Sequence, residues 1–149
     1  MSTKALGLAT TLLVLLPWAA AAGPFEGSAQ GAITAQAPVP AGVQLEITAS
    51  GAANRMGPFS RVEVLTLDPV TNTFSGAVTF TDSNGDTLHG TVAGAFVSPG
   101  AATGSYEWTS GTGRFEHPLG TARFVVTSTD GVHFSVQFKG SLSLIRPAS

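Results

Sequence analysis

The sequence predicts an all-β fold: an eight-stranded antiparallel up-and-down barrel behind an N-terminal signal peptide. Three observations carry this. Apolar residues recur with period two from Phe25 to the C-terminal end, and no stretch shows the 3.6-residue period of an amphipathic helix. Turn-forming clusters separate the alternating runs at spacings typical of barrels and sandwiches. Glycines recur on the inward parity at Gly27, Gly31, Gly76, Gly90, Gly94 and Gly140. Inward glycine lets a coiled strand bend and leaves room in a tapered interior. Closure also removes sheet edges that a cysteine-free exported chain could not safely expose. A β-sandwich is the alternative architecture.

The first residues read as a leader rather than as part of the fold. Lys4 supplies a positive charge, Leu6 to Leu16 an apolar core, and Pro17 a helix break. Ala19-Ala20-Ala21-Ala22 offers small residues for cleavage, with the cut expected after Ala22. The chain therefore divides into a signal peptide, 1–22, and one barrel domain, 23–149, of a secreted or periplasmic protein. The apolar run falls short of the roughly 20 residues of a membrane span, so no membrane association is expected after cleavage.

Composition removes several function classes. The 149-residue chain has no cysteine, which excludes thiolate chemistry, disulfides and a lipid-modified cysteine. It must stand on packing alone. Charged residues make up 11% of the chain, the formal net charge is −2, and no basic patch exists to attract nucleic acid.

The first strand runs from Phe25 to Thr34, with Phe25, Gly27, Ala29, Gly31 and Ile33 on one face. Ala37 to Gly42, with two prolines that cannot donate to a ladder, is expected to be a loop. Val43 to Ala49 places Val43, Leu45, Ile47 and Ala49 inward. Gly51 to Pro58 reads as a connection. Ser60 to Asp68 is a strand of mixed pattern, in which Val62 and Val64 compete with Leu65 and Leu67 for the inner face. A β-bulge would reconcile them. Asp68 to Asn72 is a turn by composition.

Thr73 to Thr81 turns Phe74, Gly76, Val78 and Phe80 to one face, and the strand from Leu88 to Phe96 does the same with Leu88, Gly90, Val92, Gly94 and Phe96. Between them Asn84-Gly85 is a hairpin signal. Ser98 to Ala102 is a loop, and Gly104 to Thr109 a strand carrying Tyr106 and Trp108 inward. Ser110-Gly111-Thr112-Gly113-Arg114-Phe115 is a sharp turn, with Gly113 expected at positive φ. Thr121 to Thr127 and Val132 to Leu144 complete the set, the last being the longest clean alternation, with Phe134, Val136 and Phe138 inward.

The turn residues carry a resemblance. Asn84-Gly85-Asp86-Thr87-Leu88-His89-Gly90 and Gly111-Thr112-Gly113-Arg114-Phe115, followed by Gly120-Thr121-Ala122 and Phe138-Lys139-Gly140-Ser141-Leu142, resemble the barrel superfamily of allene oxide cyclases and dirigent proteins. The likeness extends to the secreted bacterial members of that barrel and spans Phe59 to Leu144. Two departures stand out: Ser110 where the pattern has glycine, and Glu116-His117-Pro118-Leu119 where it has small residues. The resemblance implies a calycin-like eight-stranded barrel with a cavity open at one end. In the plant enzymes that cavity steers a reactive intermediate without covalent catalysis.

Side-chain chemistry points to binding rather than catalysis. On the parity above, the interior carries no carboxylate, histidine or lysine, and its polar atoms come from Tyr106 and Trp108. Without an inward acid, base or nucleophile there is no general acid–base site to build. No cofactor is implied. His89 and His133 face outward by parity, His117 lies in a loop, and their spacing does not converge on a metal. Asp82, Asn84 and Asp86 lack the glycine and glutamate positions of a calcium loop. Gly111-Thr112-Gly113 lacks the following helix that a phosphate cradle needs. Arg114 is expected to pair with Asp86 or Glu107. The expected ligand is a small apolar molecule inside the barrel, lined by Phe80, Phe96, Tyr106, Trp108 and Phe138. The other readings are cyclase-like steering of a reactive intermediate, which the resemblance implies, and a structural extracellular protein with a solid core and no small ligand. Outward Ala77, Thr79, Thr91 and Ala93 form a flat face suited to homo-oligomers.

Overall fold

The computed structural model describes residues 21–145. The expected leader lies outside the described residues except for Ala21 and Ala22, which open the first strand. The strands are β1 (Ala21–Val39), β2 (Gly42–Ala53), β3 (Gly57–Asp68), β4 (Thr73–Asp82), β5 (Thr87–Ser98), β6 (Ala101–Gly111), β7 (Pro118–Leu119), β8 (Thr121–Thr127) and β9 (His133–Leu144). Each long strand pairs antiparallel with its neighbours in chain order, and β9 returns to pair with β1 from Ala21↔Leu144 to Ala32↔His133. The sheet is thus a closed eight-stranded barrel, with the two-residue β7 clipped beside the end of β9.

Several loops expected from composition are strand. β1 continues through Pro38 to Val39 and pairs with β2 as far as Val39↔Gly42. Pro38 is tolerated because β1 leaves β9 after Ala32, so this end of β1 pairs with β2 alone. The register with β2 slips once, between Ile33 and Ala35, where β1 changes neighbours. Gly51 to Ala53 belongs to β2, and the connection to β3 is three residues, 54–56. Composition marked these small residues as a loop. Tight inter-strand contact explains them instead: a Cβ on Gly51 would collide with the Ser28 carbonyl oxygen.

β3 carries the main correction. It contains no bulge; its register is continuous with β2 from Val43↔Leu67 to Ala53↔Gly57 and with β4 along its length. Phe59, Arg61, Glu63, Leu65 and Leu67 therefore share one parity, and that parity faces inward. Val62 and Val64 face solvent at 51% and 37% exposure.

The alternation divides the barrel into two ends. At one end lie the 54–56 and 83–86 turns and the long 112–120 connection. At the other lie the turns at 40–41, 69–72, 99–100 and 128–132. Phe25, Phe80, Leu88, Phe115 and Leu142 are sealed at the first end, each no more than 1% exposed. Phe59 packs edge-on to Phe80 at 5.1 Å, Phe25 to Trp108 at 5.5 Å, and Phe80 to Phe138 at 5.7 Å.

The turns at this end are held by polar side chains. Asp82 Oδ1 accepts the backbone N–H groups of Asn84 and Asp86, both at 2.9 Å, and Gly85 takes φ 86°. Gly113 lies at φ 60°, as its place in the turn requires, and begins a single 3₁₀ turn that drops Phe115 into the core. A Cβ at Gly113 would collide with the Asp86 carboxylate. Arg114 reaches neither Glu107 nor the Asp86 carboxylate with its guanidinium. It donates from Nε to Asp82 Oδ2 at 2.8 Å and from Nη2 to the Met56 carbonyl at 2.7 Å, tying three turns together. Burial works to raise the pKa of Asp82, but the Asp86 and Asn84 N–H groups and the Arg114 guanidinium outweigh it and hold the carboxyl below its ordinary range.

Candidate functional site

The second end is open. A cavity of about 360 Å³ enters the barrel there, within the usual range of small-molecule pockets. Its walls come from all eight long strands, among them Ile33 of β1, Leu45 and Ile47 of β2, Leu65 of β3, Phe74 of β4, Ala102 of β6, Phe124 of β8 and Phe134 of β9. Phe96 stands at the mouth, 39% exposed, with its ring 5.7 Å from that of Phe74. Two ionisable side chains, Arg61 and Glu63, also line it, and Gln36 and Ser128 add uncharged polar groups.

These two residues overturn the expectation of an interior without carboxylates. Arg61 and Glu63 are each 3% exposed, and Arg61 Nη2 donates to Glu63 Oε1 at 2.6 Å. The Arg61 guanidinium lies 5.3 Å from the ring centre of Tyr106 and 5.6 Å from that of Phe80. Cation–π contact thus seats it on the aromatic plug of the closed end, with the cavity on its other side. Burial works against its charge, but Tyr106 and Glu63 outweigh it and keep the guanidinium protonated. Arg61 Nε and Nη1 and the Tyr106 hydroxyl are buried; the guanidinium and the hydroxyl interact with one another, but none of these three atoms makes a hydrogen bond of good geometry. Burial pushes the Tyr106 hydroxyl well above its usual range, with Arg61 opposing, so it stays protonated.

Of the five residues expected to line a ligand, Phe96 lines this cavity. Tyr106 stands behind Arg61, stacked on Phe124 at 4.7 Å. Phe80, Trp108 and Phe138 lie deeper, in the plug. The Trp108 indole N–H donates to the Ser141 carbonyl at 3.0 Å and so is not a free tip for a ligand. The turn residues Asn84, Gly85, Gly111, Thr112, Gly113 and Arg114 all lie at the closed end, as does the departing segment Glu116 to Leu119. Here Thr112 Oγ1 accepts the Thr87 N–H at 3.0 Å.

Parity placed the histidines as the structure does. His89 is held on the outer wall between Thr79 at 2.9 Å and Thr87 at 3.2 Å. His133 Nδ1 meets Asp130 Oδ2 at 2.8 Å, and with two backbone N–H groups it holds the exposed Asp130 carboxyl far below its ordinary range. Among the described residues no three His, Cys, Asp or Glu side chains converge as a metal site, and no helix is long and apolar enough to cross a membrane.

The pterocarpan synthase dirigent protein GePTS1 superposes with a TM-score of 0.65 at 14% identity, over 85% of this chain and 90% of that one. The chain shares the barrel fold of that protein. The pterocarpan synthase dirigent protein PsPTS1 superposes with a TM-score of 0.61 at 13% identity, over 85% of this chain and 97% of that one. No family model and no curated protein matches the sequence. At such identities the likeness to dirigent proteins is one of architecture: strand number, closure and order.

Proposed function

We propose that this protein is an exported binding barrel that takes a small, largely apolar molecule into the cavity at its open end. The observation that carries the reading is the contrast within one interior. Half is sealed by interlocked aromatics, while the other half leaves about 360 Å³ between apolar walls. Small barrels are ordinarily filled by their own side chains. Eight-stranded barrels can also hold one small ligand, and a cavity retained beside so many large aromatics favours that use here. Export is supported by the leader composition: Lys4, the apolar run from Leu6 to Leu16, and the small residues Ala19 to Ala22.

A second reading has its own support. The structural likeness to two dirigent proteins favours a cavity that holds a reactive intermediate and dictates how it closes, with the walls supplying shape and Arg61 and Glu63 supplying charge. Both readings need a molecule in the cavity. The common test is titration with N-phenyl-1-naphthylamine, a neutral fluorophore. Saturable enhancement in the wild type that disappears in Ala102→Trp, which fills the cavity from β6, is expected. Equal enhancement in both proteins would place the probe elsewhere and reject the reading. Steering is separated from simple binding by a change in the stereochemical ratio of products when an intermediate closes in the protein's presence.

A further inference from the structure

We infer that Arg61 and Glu63 form a preset anchor for a neutral oxygen acceptor, so that the preferred occupant is an apolar molecule bearing a carbonyl or comparable uncharged oxygen. The inference rests on the binding reading above and names the chemistry of the same cavity. Arg61 carries five N–H donors. Nη2 is engaged by Glu63 and the guanidinium lies against Tyr106, whereas Nε and Nη1 are buried and make no hydrogen bond of good geometry to the protein. A buried donor left unpaired is costly, more so on a charged group, and a ligand acceptor relieves that cost. The Tyr106 hydroxyl, behind the guanidinium, is also buried without a hydrogen bond of good geometry, so it does not fully satisfy Arg61 from within the protein. No apolar residue of the walls can serve them.

The charge balance selects the kind of acceptor. Arg61 and Glu63 already neutralise one another at 2.6 Å, within a site whose other walls are mainly apolar and whose further polar side chains, Gln36 and Ser128, are uncharged. A ligand carboxylate placed there would leave the buried site with a net negative charge beside Glu63, an uncompensated arrangement that is strongly disfavoured in low dielectric. A carbonyl oxygen accepts from Arg61 without adding charge. Glu63 thereby acts in specificity as well as in structure: it orients the guanidinium and repels anionic heads.

Three naphthalenes of one shape test this by calorimetric titration: 2-acetylnaphthalene, its hydrocarbon isostere 2-isopropenylnaphthalene, and 2-naphthoate. The wild type should bind the ketone about tenfold more tightly than the hydrocarbon, the scale of one hydrogen bond to a charged donor. It should bind 2-naphthoate more weakly than the ketone. In the double variant Arg61→Met/Glu63→Leu, which removes both charges together, the ketone preference should fall to about one while hydrocarbon binding persists. That persistence also reports a folded cavity. Glu63→Gln, which keeps an acceptor for Arg61 Nη2, should retain the ketone preference and raise 2-naphthoate affinity by about tenfold. Equal binding of ketone and hydrocarbon by the wild type would overturn the anchor and leave the binding reading intact. Tighter binding of 2-naphthoate than of the ketone by the wild type would overturn the neutral preference. A ketone preference that survives in the double variant would also overturn the anchor. Failure of both neutral compounds to bind the wild type would overturn the anchor together with the binding reading.

Discussion

The two ends of this barrel are built from the same strands and the same alternation, yet they do opposite things. At the closed end Phe25, Phe59, Phe80, Trp108 and Phe138 interlock, Phe115 drops in from the 112–120 connection, and Arg114 ties the 83–86 turn to the 54–56 turn. At the open end the inward side chains are mainly aliphatic, the turns bring no aromatic cap, and a cavity remains. The difference lies in the connections rather than the strands. The long connection carries a plug residue, whereas the short turns at 40–41 and 99–100 have none to offer. Stability should therefore concentrate at one end and binding at the other, and mutations should separate the two.

The largest effects should come from the plug. Phe138→Ala removes a ring that packs against Phe25, Phe59 and Phe80, and should cost about 3–5 kcal/mol in urea unfolding. Phe134→Ala on the same strand, half-buried at the cavity, should cost clearly less while changing probe affinity. Equal costs at the two positions would erase the contrast.

The buried pair at the boundary should behave asymmetrically. Arg61→Met alone strands the Glu63 carboxylate in the interior and should cost about 3–5 kcal/mol. The double variant Arg61→Met/Glu63→Leu should recover most of that loss in the same unfolding assay, because an apolar replacement of a buried ion pair is often neutral. A double variant no more stable than Arg61→Met would show that the pair holds the barrel itself.

A smaller effect is expected at the turn. Gly113→Val forces a β-branched residue to φ 60° and pushes it against Asp86, costing about 1–3 kcal/mol without altering probe binding. Loss of binding at unchanged stability would connect this turn to the cavity.

The smallest effect is in pH dependence. Asp82 has its carboxyl pKa held below the ordinary 3.8, so the folded state binds its proton less readily than the unfolded chain does. Its contribution is fully present above that ordinary value and is lost as the pH falls through the lower folded value. Unfolding measured along an acid series should show this limb in the wild type and a shallower one in Asp82→Asn. Identical acid limbs would assign the acid sensitivity to other carboxylates.

The contrast between the ends also explains what the sequence disclosed. Strict alternation in β4, β5, β8 and β9 gave the inner faces correctly, and Gly113 and the 68–72 segment form the turns that their composition announced. The faces of β3 were ambiguous only under the rule that valine points inward. Phe59, Leu65 and Leu67 lie on the parity of Arg61 and Glu63, so parity alone carried the signal. The outward valines lie beside Thr79 and Ala77 on the outer wall, where isolated apolar residues are ordinary. Height along the barrel was not legible. Alternation tells which face a side chain takes, whereas its level depends on register and stagger across all the strands. That is why Trp108 and Phe138, correctly read as interior, stand in the plug rather than in the cavity.

The measurement that tests the central claim most directly is a heteronuclear NMR titration of the barrel with 2-acetylnaphthalene. Shift changes should concentrate on Leu45, Leu65, Ala102, Phe124 and Val126, around the open-end cavity, while Phe25, Leu88 and Leu142 remain still. Changes centred on those three, or a spectrum that does not respond while the ligand is saturating, would contradict the division of this barrel into a packed end and a binding end.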